Sequence, residues 1–145
     1  LRTTFITGLP GETDEDFQEL CDFIEEMHFS HMGVFTYSPE QDTPAAEMSG
    51  QIAAEIAEER KNVLMALQKK ISRKRQEHLI GQTLDVLVEG ISAESDLLVQ
   101  GRHAGQAPEI DGVTYITSGD MQPGDVVPVR ISEFSDYDLA GECQL

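Results

Sequence analysis

Gly8-Leu9-Pro10-Gly11-Glu12-Thr13 follows an apolar run, Thr3 to Thr7, that reads as a buried strand. Two glycines and a proline in four residues make a tight turn at the C-terminal end of that strand, the end where barrel enzymes place their sites. A second apolar run, Met32 to Tyr37, leads into Ser38-Pro39-Glu40-Gln41-Asp42-Thr43. Tyr37, Ser38, Glu40 and Thr43 therefore fall at the same end of a second strand, where loop polar groups suit ligand binding. Each position also has a plainer reading. Gly8 and Gly11 serve equally as turn residues, Glu12 and Thr13 as caps of the next helix, and the loop polar groups as solvated side chains.

A different chemistry is written in the charge. The chain carries a net charge of −17, unevenly spread: residues 1–78 hold 15 acids and 8 bases, residues 79–145 hold 12 acids and only Arg102 and Arg130. Such a surface repels phosphate backbones and matches a basic partner, although acidic solubility alone accounts for it as well. Glu109, Asp111, Asp136 and Asp138 lie in turn-rich stretches of this second part and are candidates for contact with a basic protein loop; solvated turn acids are the alternative. Lys69, Lys70, Arg73, Lys74 and Arg75 put five cations within seven residues. Favourable placement at a helix C-terminus explains them, and a phosphate-contacting patch is the competing reading. Cys21 and Cys143 form no C-x-x-C or Cys/His cluster, so no metal site is expected in this chain. Cys21 falls on an apolar helix face, where a buried thiol is expected. The four histidines are scattered without ligand spacing.

Three kinds of element must position these groups. Thr13 opens a helix with Asp14, Glu15 and Asp16 in its first turn, and Phe17, Leu20, Cys21, Ile24 and Met27 form its apolar stripe. Two similar strands joined by one helix imply parallel pairing through a right-handed crossover. The chain opens directly on a strand, so the expectation is that residues 1–50 are the last βαβ unit of a larger β/α barrel. Ser38 to Gly50 reads as a loop. Gln51 to His78 lacks Gly and Pro, and Ile52, Ile56, Val63, Leu64, Leu67 and Ile71 mark a long helix, expected over 51–79. From residue 80 to 145 the pattern changes to five short strands: Thr83–Glu89, Leu97–Arg102, Val113–Thr117, Val126–Ile131 and Tyr137–Glu142. Turn clusters that include Gly90 and Asp111-Gly112 separate them, and together they suggest a small closed antiparallel barrel of the oligonucleotide-binding kind. The fold class is α/β followed by all-β. No apolar run approaches the roughly 18 residues needed to span a bilayer and no signal peptide is present, so a cytoplasmic protein is expected.

Three stretches, in order, resemble the radical S-adenosylmethionine methylthiotransferases. Ile6-Thr7-Gly8-Leu9-Pro10-Gly11-Glu12-Thr13 is similar to a late strand and turn of their barrel. Phe35-Thr36-Tyr37-Ser38-Pro39-Glu40-Gln41-Asp42-Thr43-Pro44-Ala45-Ala46 resembles the loop after their last strand, and the region from Val86-Leu87-Val88-Glu89-Gly90 resembles their terminal TRAM domain. Ala107-Pro108-Glu109-Ile110-Asp111-Gly112 and Asp136-Tyr137-Asp138-Leu139 favour the branch that modifies an aspartate of a small-subunit ribosomal protein over the tRNA-modifying branch. The acidity of the TRAM-like part agrees, since ribosomal proteins are basic. Gln41-Asp42 departs from the acid-glycine pair usual in that loop. Asp takes the left-handed conformation at modest cost, so the change is expected to be tolerated.

The resemblance implies methylthio transfer to an unactivated carbon. One [4Fe–4S] cluster would cleave S-adenosylmethionine to a radical that takes the aspartate β-hydrogen; a second would supply sulfur, methylated by another S-adenosylmethionine. It places Ile6 against the adenine and Gly8, Tyr37, Ser38, Glu40 and Thr43 near the cofactor. For Ile6, plain core packing is an equal alternative. Each cluster needs three cysteines, which this chain does not supply, so it is expected to ligate neither cluster and to be inactive alone. A tRNA-modifying enzyme and a non-enzymatic adaptor remain as alternatives, and a C-x-x-x-C-x-x-C triad in the parent protein separates enzyme from adaptor. The expected partner is a basic ribosomal protein, with neither membrane nor nucleic acid at the TRAM part.

Overall fold

The structure is a computed structural model that describes residues 1–144. It divides into two compact units, Leu1–Ser72 and Arg73 onward.

In the first unit, β1 (Arg2–Thr7) and β2 (His31–Thr36) pair in parallel, with Ile6 opposite Phe35 and Thr7 opposite Thr36. Helix α1 (Asp14–Met27) joins them. It starts where expected because Thr13 and Asp16 form a capping box, each side chain bonded to the other's backbone. Helix α3 (Ala54–Glu77) supplies Leu64 and Ile71 to a core with Ile24, Phe29, Met32 and Val34. Phe5, Phe23 and Phe29 meet edge-on with ring centroids 5.8 to 6.4 Å apart.

Several expectations need correction here. The strands are not buried on both faces: Ile6 is 52% and Phe35 63% exposed on the face turned away from the core. Met27 leaves the stripe of α1 and is exposed, while Cys21 is only partly buried, packed against the core. The buried face of α3 is Ala57, Arg60, Leu64, Gln68 and Ile71, whereas Ile56 and Val63 lie exposed. That face follows helical spacing but carries two polar side chains, which an apolar-periodicity search passes over. The loop after β2 contains a short helix, α2 (Pro44–Glu47), with Thr43 as its N-cap and Pro44 in its first turn.

The second unit is a closed five-stranded barrel in the order β3-β4-β5-β7-β6, formed by β3 (Thr83–Ser92), β4 (Ser95–His103), β5 (Thr114–Ile116), β6 (Val126–Phe134) and β7 (Leu139–Cys143). Alternate residues Val86 and Val88, and Val127, Val129 and Ile131, point inward with Ile116 and Leu139 to form the core. The sheet is mixed, not antiparallel as expected, because β5 and β7 pair in parallel. Gly90 is not a turn: β3 runs through it, and register shifts there and between Ile131 and Glu133 bend the strands as the barrel closes. β7 begins at Leu139, since Asp136 and Asp138 belong to the turn before it.

Candidate functional site

At the C-terminal ends of β1 and β2 two loops meet. The Tyr37 amide donates to the Thr7 carbonyl at 2.8 Å, and the Gly11 amide donates to the Gly50 carbonyl at 2.9 Å. These bonds bring Gly8–Thr13 and Ser38–Gly50 to one end of the sheet, as the sequence pattern anticipates. Gln51 closes the second loop by donating from its amide to the Ala45 and Met48 carbonyls.

Glu12 organises the first loop. Its carboxylate accepts from the Gly8 amide at 3.0 and 3.1 Å, from the Thr7 hydroxyl at 2.9 Å and from Arg60 Nη1 at 2.6 Å. Glu12 therefore secures the end of the strand instead of capping α1; that task falls to Thr13 and Asp16. Arg60 spends its second arm on Asp14 Oδ1 at 2.6 Å and lies over the Phe17 ring at 5.4 Å. Burial works against the Arg60 charge, but hydrogen bonds to Asp14 and Glu12 outweigh it and hold the guanidinium above its ordinary pKa. Gly8 has φ +81°, and a Cβ there would sit 2.5 Å from the Ala57 Cβ, so α3 approaches this turn too closely for a side chain.

The residues expected near a cofactor divide into three groups. Ile6 and Phe35 offer adjacent exposed apolar side chains on one face. The Tyr37 hydroxyl is buried without a hydrogen-bond partner among the described residues. Ser38 and Glu40 are exposed, whereas Thr43 works as a cap, donating to the Glu40 carbonyl at 2.7 Å and accepting from the Ala46 amide. Asp42 does adopt the left-handed conformation, with φ 64°. Arg60 is the residue that the sequence pattern did not single out; its only local signal is a cation at a core-facing helix position.

On the barrel, the four acids expected to meet a basic partner share two facing loops. The Asp111 carboxylate accepts from the Ala107 amide at 2.6 Å, and Asp138 accepts from the Val113 amide at 2.9 Å, which ties the loop before β5 to the turn before β7. Asp136 pairs with Arg73 at 3.0 Å, and Arg73 also lies over the Phe134 ring. Glu109 is exposed with φ 63°. Exposed Ile110 and Tyr137 flank these acids. Gln106 and Thr114, both buried and bonded to each other at 2.9 Å, fix the base of the first loop. Among the described residues no group of three or more His, Cys, Asp or Glu is arranged to hold a metal ion, and no helix is long and apolar enough to cross a membrane.

Comparison with known proteins matches residues 80–143 to the TRAM domain. Over 141 residues the chain is 51% identical to ribosomal protein uS12 methylthiotransferase RimO of Anaeromyxobacter sp. (strain Fw109-5), a match covering 97% of this chain and 30% of that protein. The protein of the same name from Sorangium cellulosum (strain So ce56) is 50% identical over 97% of this chain and 29% of its own length. That from Geobacter sulfurreducens is 51% identical over 98% of this chain and 32% of its own. The chain thus spans about 30% of the length of the curated relatives it matches.

Proposed function

We propose, for a chain that is RimO-like along 97% of its length and carries a TRAM domain, that the whole protein is a radical S-adenosylmethionine methylthiotransferase. Its substrate on this reading is an aspartate β-carbon of the small-subunit ribosomal protein uS12, modified in the cytoplasm. The observation that carries the reading is identity of about 50% over an aligned stretch that covers 97% of the chain. Residues 1–50 then contribute the last strands of the catalytic barrel, 51–79 the connecting helix, and 80–145 the TRAM domain.

S-adenosylmethionine and two [4Fe–4S] clusters would supply the radical and sulfur chemistry. The described residues fit the first of these in part. Exposed Ile6 beside Phe35 offers an apolar surface for a flat base, and the orphan Tyr37 hydroxyl lies at the same end of the sheet. Gly8, Ser38, Glu40 and Thr43 shape the loops around that end. They do not fit the clusters: the chain has two cysteines, Cys21 in α1 and Cys143 in β7, where each cluster requires three. On this reading the cluster ligands lie elsewhere in the protein and this chain alone does not turn over.

The barrel's part in this reading is to hold the basic substrate protein. From residue 79 onward acids outnumber bases 12 to 2, a field that speeds encounter with a cationic loop and disfavours RNA. Glu109, Asp111, Asp136 and Asp138 are the proposed contacts. The deciding experiment is a titration of the chain with a basic loop peptide of the ribosomal protein and, separately, with a tRNA anticodon stem-loop, each at low and physiological salt. Peptide binding that weakens with salt, with none to RNA, is expected. RNA binding with a steep salt slope would move the contact to Lys69–Arg75, whose five cations are exposed on α3, and would favour the tRNA-modifying branch.

A further inference from the structure

Among the described residues Arg60 is the only charged residue in the buried class, and both terminal nitrogens of its guanidinium are bonded within the protein. Nη1 reaches both the Glu12 carboxylate and the Glu12 carbonyl, Nη2 reaches Asp14, and the plane covers Phe17. Glu12 in turn is 11% exposed and holds the Gly8 amide with both oxygens and the Thr7 hydroxyl with one. Removing the counterion of a carboxylate that buried is costly, because it leaves an uncompensated charge inside the protein. Without Arg60 the Glu12 charge would be uncompensated, and its hold on the Gly8 amide and the Thr7 hydroxyl would weaken together. One helical turn earlier in α3, Ala57 forms the steric floor under Gly8. A single helix face therefore supplies both the wall and the charge that define the turn.

We propose that Arg60 is a positioning residue for the S-adenosylmethionine site: through Glu12 it fixes the Gly8–Glu12 turn in the conformation that meets the cofactor beside Ile6. The ligand in this statement rests on the reading under Proposed function; the hold of Arg60 on the turn rests on the geometry. Arg60 does not itself touch the ligand on this proposal, because its side chain is 8% exposed and both terminal nitrogens are turned to Glu12 and Asp14. Asp14 takes only the outer arm and is fully exposed, so it is dispensable.

The test uses the full-length protein and the variants Arg60→Met, Arg60→Lys, Glu12→Gln and Asp14→Asn, with thermal melting in parallel. Two quantities are read: amide hydrogen exchange over Thr7–Glu12, and the dissociation constant for S-adenosylmethionine by calorimetry. Arg60→Met and Glu12→Gln are expected to speed exchange and weaken binding by about tenfold, the equivalent of one charged hydrogen bond. Arg60→Lys, which keeps one arm on Glu12, should restore part of both, and Asp14→Asn should match the wild type. Wild-type affinity in folded Arg60→Met or Glu12→Gln overturns the proposal. Should Arg60→Met not fold, Arg60→Lys decides: affinity and exchange both unchanged in it and in Glu12→Gln overturn the proposal equally. A wild-type protein that binds no S-adenosylmethionine sinks the methylthiotransferase reading instead, and the exchange data then decide alone whether Arg60 holds the turn.

Discussion

In Leu1–Ser72 the carboxylate that shapes the candidate site, Glu12, is 11% exposed and lies 2.6 Å from a guanidinium that is 8% exposed. In the second unit the comparable pair, Asp136 before β7 and Arg73 on α3, is 31% and 59% exposed at 3.0 Å. The sheets differ in the same sense. The first unit has two strands with Ile6 and Phe35 uncovered on one face, whereas the barrel closes on itself around seven buried aliphatic side chains. A closed barrel leaves no strand edge to protect and can place its acids on turns for local hydrogen bonds and for a partner. An open strand end must be held from outside, and here a buried ion pair reaching across 48 residues of sequence does so.

The comparison breaks first at the buried pair. Arg60→Ala is expected to destabilise the first unit by about 3–5 kcal/mol, because it strands a buried carboxylate, and hydrogen exchange resolves this loss from the barrel's stability. Equal protection of the Ile24 and Leu64 amides in variant and wild type would refute it. Next is Gly141→Ala in the barrel. A methyl group there would collide with the Arg130 carbonyl of the neighbouring strand, with Val129 close by, at an expected cost of about 1–3 kcal/mol. A lowered denaturant midpoint confined to residues from Thr83 onward checks it. Arg73→Ala should cost only about 0–1 kcal/mol, since the pair is exposed and screened. If urea unfolding shows Arg73→Ala as damaging as Arg60→Ala, the contrast between the two pairs is wrong.

The sequence made some of this contrast visible and hid the rest for physical reasons. The Thr13 cap, the parallel β1–β2 pair and the alternation of the barrel strands are written in residues close together in the chain, so local pattern exposes them. The Asp42 turn was legible too, because a departure from glycine at a left-handed position has few tolerable substitutes. Arg60 was hidden twice over. It is polar on a face sought by apolar periodicity, and its partner Glu12 is adjacent only in space. The parallel β5–β7 pair depends on which strands close the barrel, and β5 is three residues long, too short to announce its neighbour. Helix α2 has a signal in Thr43-Pro44, a cap followed by proline, but it is four residues long and the prolines and glycine around it read equally as a loop.

The smallest expected difference between the units is their response to pH, and its sign differs. Asp16 is held below its ordinary value of 3.8, chiefly by the Thr13 backbone amide and then by the Thr13 hydroxyl. Its folded-state pKa is depressed, so the capping box contributes stability above about pH 4 and loses it as pH falls through the folded value. In the barrel Tyr115 is raised above 10.0, first by burial and then by the charge of Glu94. That shift keeps the neutral phenol, so its contribution is complete below about pH 10 and fades as pH rises through the folded value. The protection factor at the start of α1, with the intrinsic pH dependence of amide exchange divided out, should therefore fall on acidification, and that along β5 on alkalinisation. Asp16→Asn is expected to flatten the first dependence and Tyr115→Phe the second, each leaving the other unit's profile unchanged. A single substitution that moved both profiles would refute the assignment of Asp16 to the first dependence and Tyr115 to the second.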